Sequence, residues 1–201
     1  MKHKGTVLII SGAALLVLSL GLFVYNIASD IIAERRASDA LSALKDRKGT
    51  DERVDAAGEK IIPDYILNPE MDMPVITRDG IDYIGTISLP TINKQLPVAS
   101  VLTMPILKQT PCRYNGSAYL NNMVIAAHNY RSYFRDLQEL AAGDPVVFTD
   151  VEGNTFRYRV AETQVLSPTA IDEMIEYTEG LTLFTCTVSG RARVTVRCKA
   201  E

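Results

Sequence analysis

Three side chains of this sequence have the types and settings that nucleophilic chemistry requires. Cys186 closes the run Leu181-Thr182-Leu183-Phe184-Thr185-Cys186, and Arg193 lies in the run Arg191-Ala192-Arg193-Val194-Thr195-Val196. His128 closes Met123-Val124-Ile125-Ala126-Ala127-His128. Each run has the apolar, partly β-branched character of a strand. Ser189-Gly190, a turn dipeptide, separates the first two. With Ser189 and Gly190 as the central pair of a tight hairpin, Cys186 stands directly opposite Arg193. Alternation then puts Leu181, Leu183, Val194, Val196 and Cys198 on an interior face, and Thr182, Phe184, Cys186, Arg193, Thr195 and Arg197 on the other. A guanidinium opposite a thiol favours the thiolate, the form that attacks a carbonyl. A histidine at the mouth of a strand can point into a groove and move the proton such an attack needs. His3, the second histidine, precedes an apolar segment and is set aside.

Other readings compete at several positions. Arg191 shares the face of Arg193 and is the next candidate for its role, while Arg191 and Arg197 are otherwise ordinary surface arginines. Thr185 points inward by parity and reads as packing and turn support, and Asn129 reads as a turn residue. Cys198 falls among interior valines as a small hydrophobe. Cys112, between Pro111 and Arg113 in a predicted loop, is either free or paired with Cys198; three cysteines leave at least one thiol unpaired. The cysteines lack paired spacing and the histidines are remote from one another, so no metal site or cofactor is expected.

The elements that must position these residues are short. Strands are predicted at Asp82–Leu89, Gln95–Ser100, within Tyr119–His128, at Pro145–Asp150 and Thr155–Val160, and in the two runs around Ser189-Gly190. Glu152-Gly153-Asn154 reads as a hairpin turn, after which Phe156, Tyr158 and Val160 share a buried face. One or two helical turns are expected at Phe134–Leu140, and a short helical pattern with Ile171, Met174 and Ile175 within Pro168–Tyr177. Seven or eight such strands with brief helical inserts point to a mainly β fold, a closed antiparallel or mixed barrel.

The N-terminal part reads differently. From Gly5 to Ser29 there is no charged residue, and Thr6 to Ala28 supplies about 20 apolar helical residues, enough to span a bilayer. Lys2 and Lys4 precede this segment and Asp30 follows it, so the rest of the chain is expected outside the cell membrane. A cleaved signal peptide would have a shorter apolar region ending in a small-residue cleavage site. Residues 30 to about 60 place Ala37, Ala40, Leu41 and Leu44 at helical spacing with Gly49 as a stop, a partly helical stalk. Three parts follow: 1–29 as cytoplasmic tip and transmembrane anchor, 30–79 as stalk and connecting segment, and 80–201 as the catalytic barrel. The 201 residues carry 21 lysines and arginines against 24 acidic residues with no basic block, which excludes nucleic acid as a partner.

Thr182 to Cys186, the arginine opening the next strand, and Val124-Ile125-Ala126-Ala127-His128-Asn129 resemble the sortases, cysteine transpeptidases of Gram-positive surfaces. Ala127 stands where members usually carry glycine. The resemblance covers roughly residues 80 to 199 and implies an eight-stranded barrel. It also implies Cys186 as nucleophile, His128 as proton shuttle, and Arg193 as the group that holds the substrate and stabilises the oxyanion. The implied partners are surface proteins bearing an LPxTG-like sorting signal, and an amine on a cell-wall precursor or another protein. A membrane-anchored cysteine protease using water, and a non-catalytic binding module with a structural Cys186, are the alternatives.

Overall fold

The computed structural model describes residues 2–45 and 62–201, and burial alternates residue by residue along Pro145–Asp150 and along parts of Ile81–Leu89 and Thr155–Leu166. Nine strands form one sheet: β1 (Ile76–Arg78), β2 (Ile81–Leu89), β3 (Lys94–Ala99), β4 (Cys112–Asn115), β5 (Asn122–Ala126), β6 (Pro145–Asp150), β7 (Thr155–Leu166), β8 (Gly180–Cys186) and β9 (Arg193–Ala200). Their order is β1-β2-β3-β4-β5-β8-β9-β7-β6, and β6 pairs back onto β2. The eight strands β2 to β9 therefore close into a barrel, with β1 as a short extension on β2. Two neighbouring pairs, β3–β4 and β5–β8, run parallel, so the barrel is mixed. Each of the eight strands thus has a neighbour on both sides, β3 and β4 meeting at Ala99↔Cys112.

The barrel is filled from alternate positions. Ile87, Val98, Met123, Ile125, Phe148, Leu181, Leu183, Val196 and Cys198 are fully buried in one cluster, each large side chain contributing about 1.5–3 kcal/mol by leaving water. Gly85 lies where β2 meets β6, at a shift of register. A Cβ there would stand 2.2 Å from the Thr149 carbonyl oxygen, so closure at this point requires glycine. The β6–β7 turn is organised by buried Asp150, whose carboxylate accepts from the backbone of Glu152 and Asn154 and from the Tyr119 hydroxyl at 2.9 Å. Upstream, the helical turn α2 (Asp64–Leu67) stacks Tyr65 on Tyr119 with centroids 4.7 Å apart.

Several expectations change. Cys112 lies in strand β4, buried, and not in a loop. The strand begun at Thr155 runs on to Leu166, because a bulge between Val160 and Glu162 lets the polar stretch after it keep pairing with β9. The turn at Arg135–Glu139 is a 3-10 helix. Arg197 is buried at 4% exposure and is not a surface residue.

At the N-terminus a single helix, α1, runs over Lys2–Lys45. The stalk residues beyond it, Gly49 included, lie outside the described residues up to 61. Among the described residues no helix is long and apolar enough to cross a membrane. The transmembrane anchor expected at Thr6–Ala28 is thus not borne out by the described residues.

Candidate active site

The Cys186–Arg193 pairing is a register of the sheet. β8 and β9 pair from Gly180↔Lys199 to Cys186↔Arg193, and β7 adds Leu166↔Arg193 from the other side. Arg193 is thus fixed between two strands. The turn is not the two-residue hairpin expected. Thr187 and Ala192 still bond through their backbones, and Gly190, at φ +72°, closes a turn onto the Thr187 carbonyl. A four-residue loop centred on the same pair keeps the same opposing residues. The register survives the change of turn.

His128 stands two residues past β5, which runs parallel to β8 up to Ala126↔Phe184. The two strands bring their C-terminal ends out side by side, one carrying His128 and the other Cys186. His128 stacks on Tyr130 with centroids 4.9 Å apart, and its Nε2 is buried without a hydrogen-bond partner. Burial pushes its pKa down, and the charge of Lys108 pushes it further.

His128, Cys186 and Arg193 all line one groove of about 280 Å³. Its walls come from two inserts. Leu102 and the short helix α3 (Met104–Leu107) form one side, and Pro168, Ala170 and the helix α4 (Ile171–Ile175) the other. Its floor is Phe184 with Tyr114 packed edge-on at 5.4 Å. Among the described residues the Arg193 guanidinium bonds only through Nη1, to the carbonyls of Gly190 and Ala192 at 3.4 and 3.2 Å.

The thiols separate cleanly. All three are free, Cys112 and Cys198 buried and Cys186 half-buried, so the possible Cys112–Cys198 pair does not form. Burial pushes both Cys112 and Cys198 up to about 12, which keeps them protonated and inert. Cys186 is the accessible thiol, at the end of the groove.

The second face of β8 and β9 is open only at that end. Thr182, Thr195 and Arg197 are buried beneath α4. The Arg197 guanidinium donates from Nη1 to the Met174 carbonyl at 3.0 Å and to Thr182 Oγ1 at 2.7 Å, and from Nη2 to the Glu173 carbonyl. Tyr177 lies 5.5 Å over it. An arginine thereby caps the end of the helix that walls the groove. Arg191 stays in the turn, exposed. Thr185 is buried as its parity requires, and Asn129 spans to the cysteine strand with Nδ2 on the Cys186 carbonyl at 2.9 Å. That contact and the α3 wall carried no local signal in the sequence.

The model of the family described as the Sortase domain matches residues 87–201. No curated protein matches the chain. Among solved structures, the Sortase D5 transpeptidase of Clostridium perfringens is 25% identical, covering 69% of this chain and 87% of its own, with a TM-score of 0.56. Sortase C of Clostridium perfringens SM101 is 24% identical over 83% of this chain and 90% of its own, TM-score 0.53. Sortase C1 of Streptococcus agalactiae, solved in complex with MTSET, is 22% identical over 59% of this chain and 69% of its own, TM-score 0.52.

Proposed function

This chain belongs to the sortase family, and from that premise we propose that it cleaves an LPxTG-like sorting signal and passes the acyl group to an amine. The observation that carries the reading is the single groove shared by the accessible thiol Cys186, His128 and Arg193. In the proposed reaction the Cys186 thiolate attacks the threonine carbonyl carbon of the signal, forming a C–S bond. The Arg193 guanidinium donates to the oxyanion so formed. As the C–N bond breaks, the leaving nitrogen takes a proton from the His128 imidazolium. The incoming amine then attacks the thioester, gives its proton to His128, and expels the thiolate. An apolar wall on each side of the thiol suits an extended, uncharged peptide.

The proposed setting is the outer face of a membrane, with the domain held by Thr6–Ala28. Leu15, Leu16, Val17, Leu18, Leu20, Leu22 and Phe23 of α1 are all more than half exposed. A helix apolar around its whole circumference has no partner in water. This supports a lipid surrounding for that segment, and protease added to intact protoplasts should then digest the domain; complete protection would overturn the orientation.

The test of function is to incubate the purified chain with a library of sorting-signal peptides and several amines, and to read the products by mass spectrometry. Peptide–amine conjugates that vanish in Cys186→Ala support the reading. Hydrolysed peptide alone, whatever amine is present, would assign a protease, and no product with no labelling of Cys186 by a thiol reagent would assign a binding module.

A further inference from the structure

The parallel ladder between β5 and β8 ends at Ala126↔Phe184, two residues short of His128 on one strand and of Cys186 on the other. Beyond it a further backbone bond, Ala127 N–H to the Phe184 carbonyl at 3.1 Å, keeps the strands together. Two side chains then cross the gap in opposite directions. Thr185, immediately before the cysteine, donates its hydroxyl to the Ala127 carbonyl, immediately before the histidine, at 2.8 Å. Asn129, immediately after the histidine, donates Nδ2 to the carbonyl of Cys186 itself at 2.9 Å. The amide orientation follows from chemistry, since a flipped Asn129 would set two acceptors against each other. The Asn129 Oδ1 has no partner, so the amide is held by its donor side.

We propose that Asn129 and Thr185 are positioning residues which, by exchanging side-chain-to-backbone bonds across the ends of β5 and β8, hold His128 and Cys186 at their working separation. The ordinary ladder cannot do this. Both functional residues lie past its last rung, where adjacent strands are free to splay, and among the described residues Cys186 is otherwise tied only to β9. The inference rests on the reading of Cys186 as nucleophile and His128 as proton shuttle. Neither Asn129 nor Thr185 is assigned contact with the substrate.

A loosened pair would lose proton transfer in the chemical step, where a misplacement of about 1 Å costs on the order of 100-fold, and would leave peptide binding in the groove untouched. The experiment measures kcat and KM for peptide–amine conjugation by Asn129→Ala, Asn129→Asp, Thr185→Val and Thr185→Ser, with thermal unfolding of each. It also follows the pH dependence of Cys186 alkylation by iodoacetamide. Asn129→Ala and Thr185→Val are expected to lose about 10 to 100-fold in kcat with KM within about twofold, and to shift the alkylation profile. Asn129→Asp, which turns an acceptor toward the Cys186 carbonyl, should fall at least as far as Asn129→Ala. Thr185→Ser, which keeps the hydroxyl, should recover most of the Thr185→Val loss. Folded Asn129→Ala and Thr185→Val proteins with kcat within about twofold of the parent, or with an unshifted alkylation profile, would overturn the proposal. Conjugation that persists in Cys186→Ala would instead show that the functional reading beneath it is wrong.

Discussion

Replacing Arg197 by methionine removes the guanidinium that joins α4 to the barrel and keeps most of its stem. Two of the bonds lost are buried, to the Met174 carbonyl and to Thr182 Oγ1, and the third, to the Glu173 carbonyl, lies where water can replace it. Bonds from a charged donor are worth about 1.5–3 kcal/mol each, so the two buried ones come to roughly 3–6 kcal/mol. Against this stands relief from holding a cation in the interior. Burial pushes the Arg197 pKa down, while Glu162 and Glu173 favour the charge only from a distance. No carboxylate among the described residues forms an ion pair with it, so the relief is substantial. The expected net loss is about 2–4 kcal/mol, or roughly 4–16 °C in Tm for a chain of this size. Thermal unfolding followed by circular dichroism measures it. Because α4 carries Ile171 and Met174 into the groove wall, KM for a sorting-signal peptide should rise as well. Arg197→Lys should regain little, since an ammonium lacks the fork that reaches three acceptors. A Tm within about 2 °C of the parent together with an unchanged KM would refute the view that this arginine holds the wall.

Cys186→Ala should abolish conjugate formation and His128→Ala nearly so, measured by mass spectrometry of peptide and amine products. Arg193→Ala should lose about 100 to 1,000-fold in turnover with its fold intact, Arg193→Lys should recover little, and Arg191→Ala should keep most activity; the reverse order of the two alanine variants would move the role to Arg191. Cys198→Ala should remain active but lose about 1 kcal/mol in denaturant unfolding, from a fully buried site. The His128 imidazole should titrate below its ordinary value of 6.5 by NMR, and Lys108→Met should raise the midpoint. Its sign for stability follows: a lowered folded pKa means that the unfolded chain takes up the proton first as pH falls through 6.5. Stability from this group is therefore lost on acidification, and His128→Gln should flatten that part of the Tm–pH curve.

The parts of the fold legible in the sequence were those set by period alone. Leu181, Leu183, Val196 and Cys198 alternate into the interior whatever the turn does, and all are fully buried. For the same reason Cys186 meets Arg193 across a four-residue loop as it would across a two-residue one. What escaped was structure that depends on pairing rather than pattern. Residues 112–115 form a strand of only four, set between Pro111 and Gly116, and nothing periodic marks them. The stretch Glu162-Thr163-Gln164 looks like a loop because it is polar, yet it is held as strand by β9.

The candidate site divides along the same line. Cys186 and Arg193 are legible as candidates because one ends a strand and the other begins the next, and His128 because it follows a strand by two residues, where a change of composition marks the position. The residues that shape their surroundings depend on contacts made across the fold. Tyr114 reaches the floor of the groove through a bulge, since Arg113 and Asn115 pair with the consecutive residues Ile125 and Val124 and leave Tyr114 over. Parity put Arg197 on the chemical face with Cys186, but α4 covers that part of the face. The helix turns a would-be surface into an interior and an arginine into its fastening. A strand register can therefore say which side chains share a face, whereas whether that face meets water or protein is decided by inserts whose docking no local pattern records.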